Sequence, residues 1–300
     1  MIGLLNIAKP AGVTSRDVVD AVADLLPGVK CGHAGTLDPL ATGVLVICLG
    51  AATRLISLVQ EQPKQYVSVF LLGQRSNTDD VTGDVVESPL AAPPTCEQIE
   101  SLLPRFHGEI DQVPPQFSAV KRQGLRAYDL ARAGETVELL PRRVTITGLE
   151  VLAYEYPRLE MRIDCGSGTY VRSIGRDLGD LLGCGAVMSS LVRTRVGVFS
   201  IDTALPLDRL TADTIELASV PTSAAAAHLP QYHCTEAEQD DLRHGRRFVM
   251  QVPMPPDRHG RIAVVNDANE LVAVTEHIAA TNELAPRLVL RTETNPSEEN

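Results

Sequence analysis

The sequence predicts an α+β fold built on a mixed sheet, followed by a smaller β-rich domain. Three observations lead there. Strand-like and helix-like segments alternate irregularly, which favours α+β over a βαβ repeat. The segment RLEMRID sets Leu159, Met161 and Ile163 against Arg158, Glu160, Arg162 and Asp164, the period of a half-buried strand. Composition shifts after about residue 200, and from Gln231 onward the chain reads as short strands and turns. With 300 residues and 44% hydrophobic content, the chain can bury one large core and a second, smaller one.

The elements follow in order. Thr14 or Ser15 caps a first helix, where Val18, Val22 and Leu25 repeat at helical spacing before Pro27 and Gly28 end it. A glycine-rich loop, GHAGTLDPLATG, precedes a buried strand, VLVICL. YVSVFLL reads as a second apolar strand, and SNTDDVTGD as a polar turn. Thr95 and Gln98 form a capping box for a helix through Leu103. A basic, loop-rich stretch at about 114–143 reads as an insertion, with a short helix around Tyr128. VTITGLEVLAY and RLEMRID are strands. CGSGT turns the chain into a helix carrying Val171, Ile174, Leu178 and Leu181 on one face, ended by Gly183. RIAVVNDANELVAVTEH reads as a hairpin about Asn266–Asn269. The expected division is 1–228, with the insertion inside it, then 229–292, then a disordered tail at 293–300.

The net charge of −11 argues at first against a nucleic-acid partner. The charge is uneven: residues 1–200 sum to −3 and residues 201–300 to −8. Lys121, Arg122, Arg126, Arg132, Arg142 and Arg143 make the insertion basic, which suits phosphate contacts; each alone is equally a solvated charge. The start of the chain lacks a basic flank before an apolar stretch, and GVLVICLGAA is too short to span a bilayer. A soluble, intracellular, cytoplasmic protein with no membrane association is expected. The six cysteines form no CxxC pair and read as reduced thiols, several of them in the core.

The common phosphate-loop, dinucleotide, zinc-protease and serine-hydrolase motifs are missing. Asp79, Asp80 and Asp84 lack calcium-loop spacing and read as a solvated turn. His228, His233 and Cys234 have no second ligand pair and read as surface residues. What stands out is Asp38, one carboxylate among the glycines and threonines of GHAGTLDPLATG. In isolation it reads as a turn-forming aspartate. Pro39 and the glycines restrict the loop, however, and a buried strand follows, so the position also suits a side chain held for chemistry.

GHAGTLDPLATG resembles the catalytic signature of the TruB family of pseudouridine synthases, which extends to the dyskerin-type enzymes. NIAKPAGVTSRDVV, KQYVSVFLLGQRSNTDD, PPQFSAVKRQGLRAYDLARAG, CGSGTYVRSIGRDLGDLLGCGA and LVRTRVGVF resemble further family segments in family order, together covering about residues 3–200. Ala34 departs from the threonine usual in bacterial members.

The resemblance implies a pseudouridine synthase core, with a largely antiparallel mixed sheet flanked by helices, plus a small PUA-like RNA-binding domain at 229–292. It implies isomerisation of uridine 55 in the tRNA T loop, with Asp38 as nucleophile and no cofactor or metal. Arg172 would keep that carboxylate ionised, and Tyr66 would stack on the base. Tyr170 and Leu191 would line the pocket, and His33 would fill the space left by the flipped nucleotide. Without the resemblance, Tyr66, Tyr170 and Leu191 read as core, Arg172 as surface and His33 as a structural loop residue. The implied partner is the T arm of tRNA, closed over by the insertion, with no obligatory protein partner and a monomeric enzyme. Two alternatives stand beside this: a guide-RNA-dependent dyskerin-type enzyme, and a non-catalytic tRNA-folding module. Lys9 reads as structural or phosphate-facing.

Overall fold

In the computed structural model, which describes residues 2–88, 92–117, 121–122, 125–126 and 139–290, Thr14 caps helix α1 (Ser15–Leu25). Its side chain accepts from the Asp17 N–H, and the Asp17 carboxylate accepts from the Thr14 N–H, a reciprocal box that satisfies two otherwise orphaned donors. The chain divides into two compact units. The first comprises Met1–Asp38, Val44–Gln62 and Gly197–Asn300, the second Pro39–Gly43 and Pro63–Val196.

In the first unit, β1 (Gly3–Lys9) lies between β14 (Leu205–Pro206) and β3 (Thr42–Leu49). β2 (Cys31–His33) runs antiparallel to β3, with His33 opposite Ile47. The apolar stripe of α1 (Val18, Val19, Val22) packs on Leu5, Ile7, Leu45, Ile47 and Leu49, and on Ile215 of α5 (Ala212–Leu217). Each such side chain contributes about 1.5–3 kcal/mol on burial. α2 (Ile56–Glu61) and the short strand β13 (Phe199–Ser200) complete this part. The acidic C-terminal stretch forms a five-stranded sheet in the order β15 (Gln231–His233), β17 (Arg261–Val265), β18 (Leu271–Ile278), β19 (Glu283–Val289) and β16 (Phe248–Val249). With helix α6 (Glu236–Arg243), it encloses its own core of Tyr232, Leu242, Phe248, Ile262, Val264 and Leu284. The β17–β18 turn falls at Asn266–Asn269, as the dipeptides suggest. Glu61, at the end of α2, pairs with Arg261 at 2.8 Å.

The second unit is a sheet whose middle strand, β4 (Lys64–Leu72), is antiparallel to both neighbours, β11 (Arg158–Cys165) and β12 (Ala186–Val196). β11 continues antiparallel to β10 (Arg142–Glu155), and β10 to β7 (Gly108–Gln112). β12 pairs in parallel with the first residues of β3, Thr42 and Gly43. The sheet is therefore mixed and largely antiparallel, as expected. Helix α4 (Val171–Leu181) lies on β4 and β12, and Gly175 is required there: a Cβ would come within 2.4 Å of the Phe70 ring. α3 (Cys96–Leu102) starts on the expected Thr95–Gln98 box. β5 (Gln74–Ser76) and β6 (Val85–Glu87) form a hairpin whose turn carries Asp79 and Asp80. β8 (Lys121–Arg122) and β9 (Leu125–Arg126) form a two-residue ladder inside the insertion. The helix expected around Tyr128, Arg132 and the tail at 293–300 lie outside the described residues. No helix among the described residues is long and apolar enough to cross a membrane. All six cysteines are free thiols, four of them buried, and burial pushes the Cys48 thiol up to about 12.

Candidate active site

The Asp38 loop is fixed from the residues before it. Ala34 N–H donates to the Val46 carbonyl at 2.8 Å, extending the pairing of β2 with β3. Leu37 is buried, and its N–H donates to the Ser15 hydroxyl at 2.9 Å while that hydroxyl donates to the Leu37 carbonyl at 3.1 Å. Ser15 is thus not the cap of α1 but its first residue, and it pins the loop to the start of the helix. Asp38 follows directly and is half-buried; His33 closes β2 and is also half-buried. Lys9 is buried and donates to the carbonyls of Pro10 and Val13, which makes it structural.

The loop leaves through Gly43, at φ +102°. A Cβ there would lie 2.3 Å from the carbonyl oxygen of Arg193 on β12, so only glycine fits. This is the physical reason for the last glycine of GHAGTLDPLATG.

The second unit holds the remaining candidates. β4 alternates strictly, burying Lys64, Tyr66, Ser68, Phe70 and Leu72 on one face. Tyr66 sits opposite Arg193 of β12, and Leu191 opposite Ser68, so Tyr66 and Leu191 are diagonal neighbours on that face. Tyr170 is the N-cap residue of α4. Its N–H donates to the Gln112 side chain at 2.8 Å, and that side chain donates back to the Tyr170 carbonyl at 3.1 Å.

Arg172 is buried, contrary to a surface reading. Its guanidinium donates to the Thr78 carbonyl at 3.0 Å and the Phe117 carbonyl at 3.1 Å, and lies 3.5 Å from the Asp80 carboxylate. Asp80 is also buried, and its other oxygen accepts from Thr82 N–H, Thr82 hydroxyl and Thr78 hydroxyl. One turn further along α4, Arg176 pairs with Asp79 at 3.0 Å and donates to the Val113 carbonyl at 2.8 Å. Burial raises the Asp79 carboxyl, against the pull of Arg176. The reading of this acidic turn as solvated is therefore corrected for Asp79 and Asp80. They dock it on the arginines of α4, and the same arginines hold the carbonyls where the insertion begins. Two arginines spaced four apart in the first turns of a helix were the available signal.

Lys64 and Arg193 were also missed. Both are buried, and desolvation followed by the charge of Arg193 brings the Lys64 ammonium down to about 8. Polar residues inside apolar strand patterns were the signal here. Lys121, Arg122 and Arg126 lie on the β8–β9 ladder, while Arg132 falls outside the described residues. Among the described residues no group of three or more His, Cys, Asp and Glu is placed to hold a metal ion.

Residues 24–171 match the family model of TruB family pseudouridylate synthase, N-terminal domain, and residues 172–222 match that of the tRNA pseudouridylate synthase B C-terminal domain. A tRNA pseudouridine synthase B of Mycobacterium sp. (strain KMS) is 46% identical over 248 residues, covering 81% of this chain and 83% of the relative. One from Ralstonia pickettii (strain 12J) is 40% identical over 274 residues, 89% of this chain and 86% of the relative. Among solved structures, a Cbf5–Nop10–Gar1 complex aligns with a TM-score of 0.72 and 28% identity, over 97% of this chain and 84% of that one.

Proposed function

Since the chain belongs to the TruB family of pseudouridylate synthases, we propose that it isomerises uridine 55 in the T loop of tRNA, with Asp38 as the nucleophile. The observation that carries this reading is the identity of 40–46% over most of the chain to relatives named for that activity. Asp38 stands in a loop fixed by Ser15 on one side and Gly43 on the other, which suits a side chain held for chemistry.

The reaction breaks the N1–C1′ bond, turns the uracil and joins C5 to C1′. It needs a carboxylate to stabilise or trap the electron-deficient sugar, as in glycosidases, and no group donor. In this reading Tyr66 stacks on the flipped base, Leu191 packs against it, Tyr170 lines the pocket and His33 fills the vacated space. Arg172 contributes positive charge that favours ionised carboxylates. The enzyme is cytoplasmic, works as a monomer without a protein partner, and uses residues 229–292 as an RNA-contacting domain.

The test is purified protein on an unmodified tRNA transcript in the presence of a chelator. Pseudouridine at the T-loop position is expected. Activity lost in chelator and restored by a metal would sink the cofactor-free part. A requirement for a guide RNA would instead favour the second reading, a dyskerin-type enzyme, which the likeness to the Cbf5–Nop10–Gar1 complex keeps in view.

Two further outcomes are expected. Tyr66→Phe keeps the ring and most of the tRNA affinity but slows turnover, whereas Tyr66→Leu damages both. Single-turnover rates near wild type for Tyr66→Phe would remove any chemical role for the hydroxyl. Binding should also be salt-sensitive despite the net charge of −11, each phosphate contact adding about −0.9 to the log–log slope on duplex RNA or DNA. Neutralising Arg122, Arg126 and Arg132 together should flatten that slope. An unchanged slope would mean that the insertion is not the clamp.

A further inference from the structure

The turn between β5 and β6 sends two successive carboxylates to one helix. Asp79 pairs with Arg176 at 3.0 Å, and Asp80 lies 3.5 Å from Arg172, one turn earlier on α4. Arginines four apart on a helix share a face. Successive residues of an extended chain do not, because their side chains point to opposite sides. The Asp79 backbone resolves the mismatch. Its φ is +61°, in the left-handed region that few residues other than glycine enter. The reversal there lets both carboxylates reach α4.

This uncommon conformation is held from several sides. The Asp79 N–H donates to the Ser76 carbonyl at 3.4 Å, and the Asp79 carbonyl accepts from the Met188 N–H of β12 at 3.0 Å. The Met188 carbonyl accepts in turn from the Val81 N–H at 3.0 Å, which brackets the buried Asp80. The side chain is held by a guanidinium that is itself fixed at every nitrogen. Arg176 Nη1 donates to Asp79, Nε to Asp177 at 2.9 Å and Nη2 to the Val113 carbonyl at 2.8 Å. The Ser173 hydroxyl donates to the same Val113 carbonyl at 2.9 Å. A residue in a sparsely populated conformation persists only where its surroundings over-determine it, and such residues gather where geometry serves function.

Building on the isomerase reading, we propose that Asp79, locked left-handed by Arg176, is a positioning residue that aims Asp80 and, through it, the Arg172 guanidinium. Arg172 also donates to the carbonyl of Thr78, the residue just before the lock, so the turn holds it at two points. Relaxation of Asp79 to negative φ would swing Asp80 off α4 and loosen both holds together. Arg172 is the cation of the proposed site, so turnover should feel the change. Asp79 and Arg176 are spent on each other and on neighbouring protein groups, so RNA affinity should not.

The test separates the backbone of Asp79 from its charge. Asp79→Ala removes the carboxylate and disfavours positive φ, whereas Asp79→Gly removes the carboxylate and favours it. Arg176 keeps Asp177 and the Val113 carbonyl in both. The readouts are affinity for T-arm RNA and the single-turnover rate constant with enzyme in saturating excess, which does not depend on how much of a preparation is folded. Asp79→Ala and Arg176→Met are expected to lose about tenfold in rate with wild-type affinity. Asp79→Gly should stay within about threefold of wild type, and adding it to Arg176→Met should recover most of the lost rate. The guanidinium N–H signals of Arg172 give the same comparison without a substrate. They are identified in an NMR spectrum of arginine-labelled protein by their loss in Arg172→Lys. They should keep their positions in Asp79→Gly and move or broaden in Asp79→Ala. Equal rates for the alanine and glycine variants overturn the proposal. So does a double variant as slow as Arg176→Met, a loss in affinity instead of rate, or Arg172 signals unmoved in Asp79→Ala. A wild-type protein inactive on T-arm RNA would remove the isomerase reading, while the Arg172 signals would still decide whether Asp79 aims that guanidinium.

Discussion

Asp38→Asn is expected to give a folded protein that binds tRNA and forms no detectable pseudouridine. The loop around Asp38 is held by the Ser15–Leu37 hydrogen bonds and by the close approach of Gly43 to Arg193, none of which uses the Asp38 side chain. Asparagine favours the same turn geometry as aspartate, so the backbone should be preserved. The amide lacks the negative charge that stabilises an electron-deficient sugar, and it is a poor nucleophile. Were Asp38 only a turn residue, turnover would stay within about tenfold of wild type, equivalent to roughly 1.4 kcal/mol of barrier. That result in a well-folded sample free of deamidation would refute the nucleophile assignment.

Arg172→Met carries the second large effect, and here stability and activity should fall together. Arg172 and Asp80 are both buried, with 3.5 Å between guanidinium and carboxylate. Removing the cation leaves a buried carboxylate uncompensated, which costs about 3–5 kcal/mol in typical cases. It also orphans the Thr78 and Phe117 carbonyls, so the acidic turn and the root of the insertion both lose an anchor on α4. Arg172→Lys should recover only part of this, because an ammonium cannot reproduce the planar fork that reaches both carbonyls. Urea titration gives the stability change, and single-turnover kinetics on T-arm RNA gives the rate. A variant of wild-type stability would show that the Asp80 pair contributes nothing net. Adding Asp80→Asn to Arg172→Met should recover part of the stability but not turnover, since the buried charge is gone while the Thr78 and Phe117 carbonyls stay unpaired and the positive charge is still missing.

The sequence was most legible where local rules act alone. The capping boxes at Thr14 and Thr95 came from residue spacing, and the inward row of β11 from strict alternation. The C-terminal hairpin came from its turn residues. These features depend on neighbours within a few positions, so a linear reading suffices. The division into units was harder. Residues 39–43 belong to a different unit from the residues on either side of them, and 197–290 folds with the N-terminal strands. Such returns are set by pairing across long separations, as in β1 with β14, and leave no local mark.

The candidate site divides the same way. Asp38 stood out as the one carboxylate of a loop restricted by Pro39 and glycines, whereas Tyr66 and Arg172 stood out only because ordered segments resembled a family. Asp80, Gln112, Arg176 and Arg193 act through partners far away in sequence: Asp80 is 92 residues from Arg172, and Gln112 is 58 from Tyr170. An acidic turn and a basic helix start look solvated until they are brought together. Lys64 was hidden for a different reason, since it continues the buried face of an apolar strand where a lysine is read as its polar end.

The central claim is that this chain by itself converts one uridine of the tRNA T loop. The most direct test is to incubate the purified protein with an unmodified tRNA transcript, with no guide RNA and no other protein, and to map pseudouridine at single-nucleotide resolution. The account predicts near-complete conversion at position 55, no other product, and none with Asp38→Asn. An unmodified T loop, or pseudouridine elsewhere in the transcript, would contradict it.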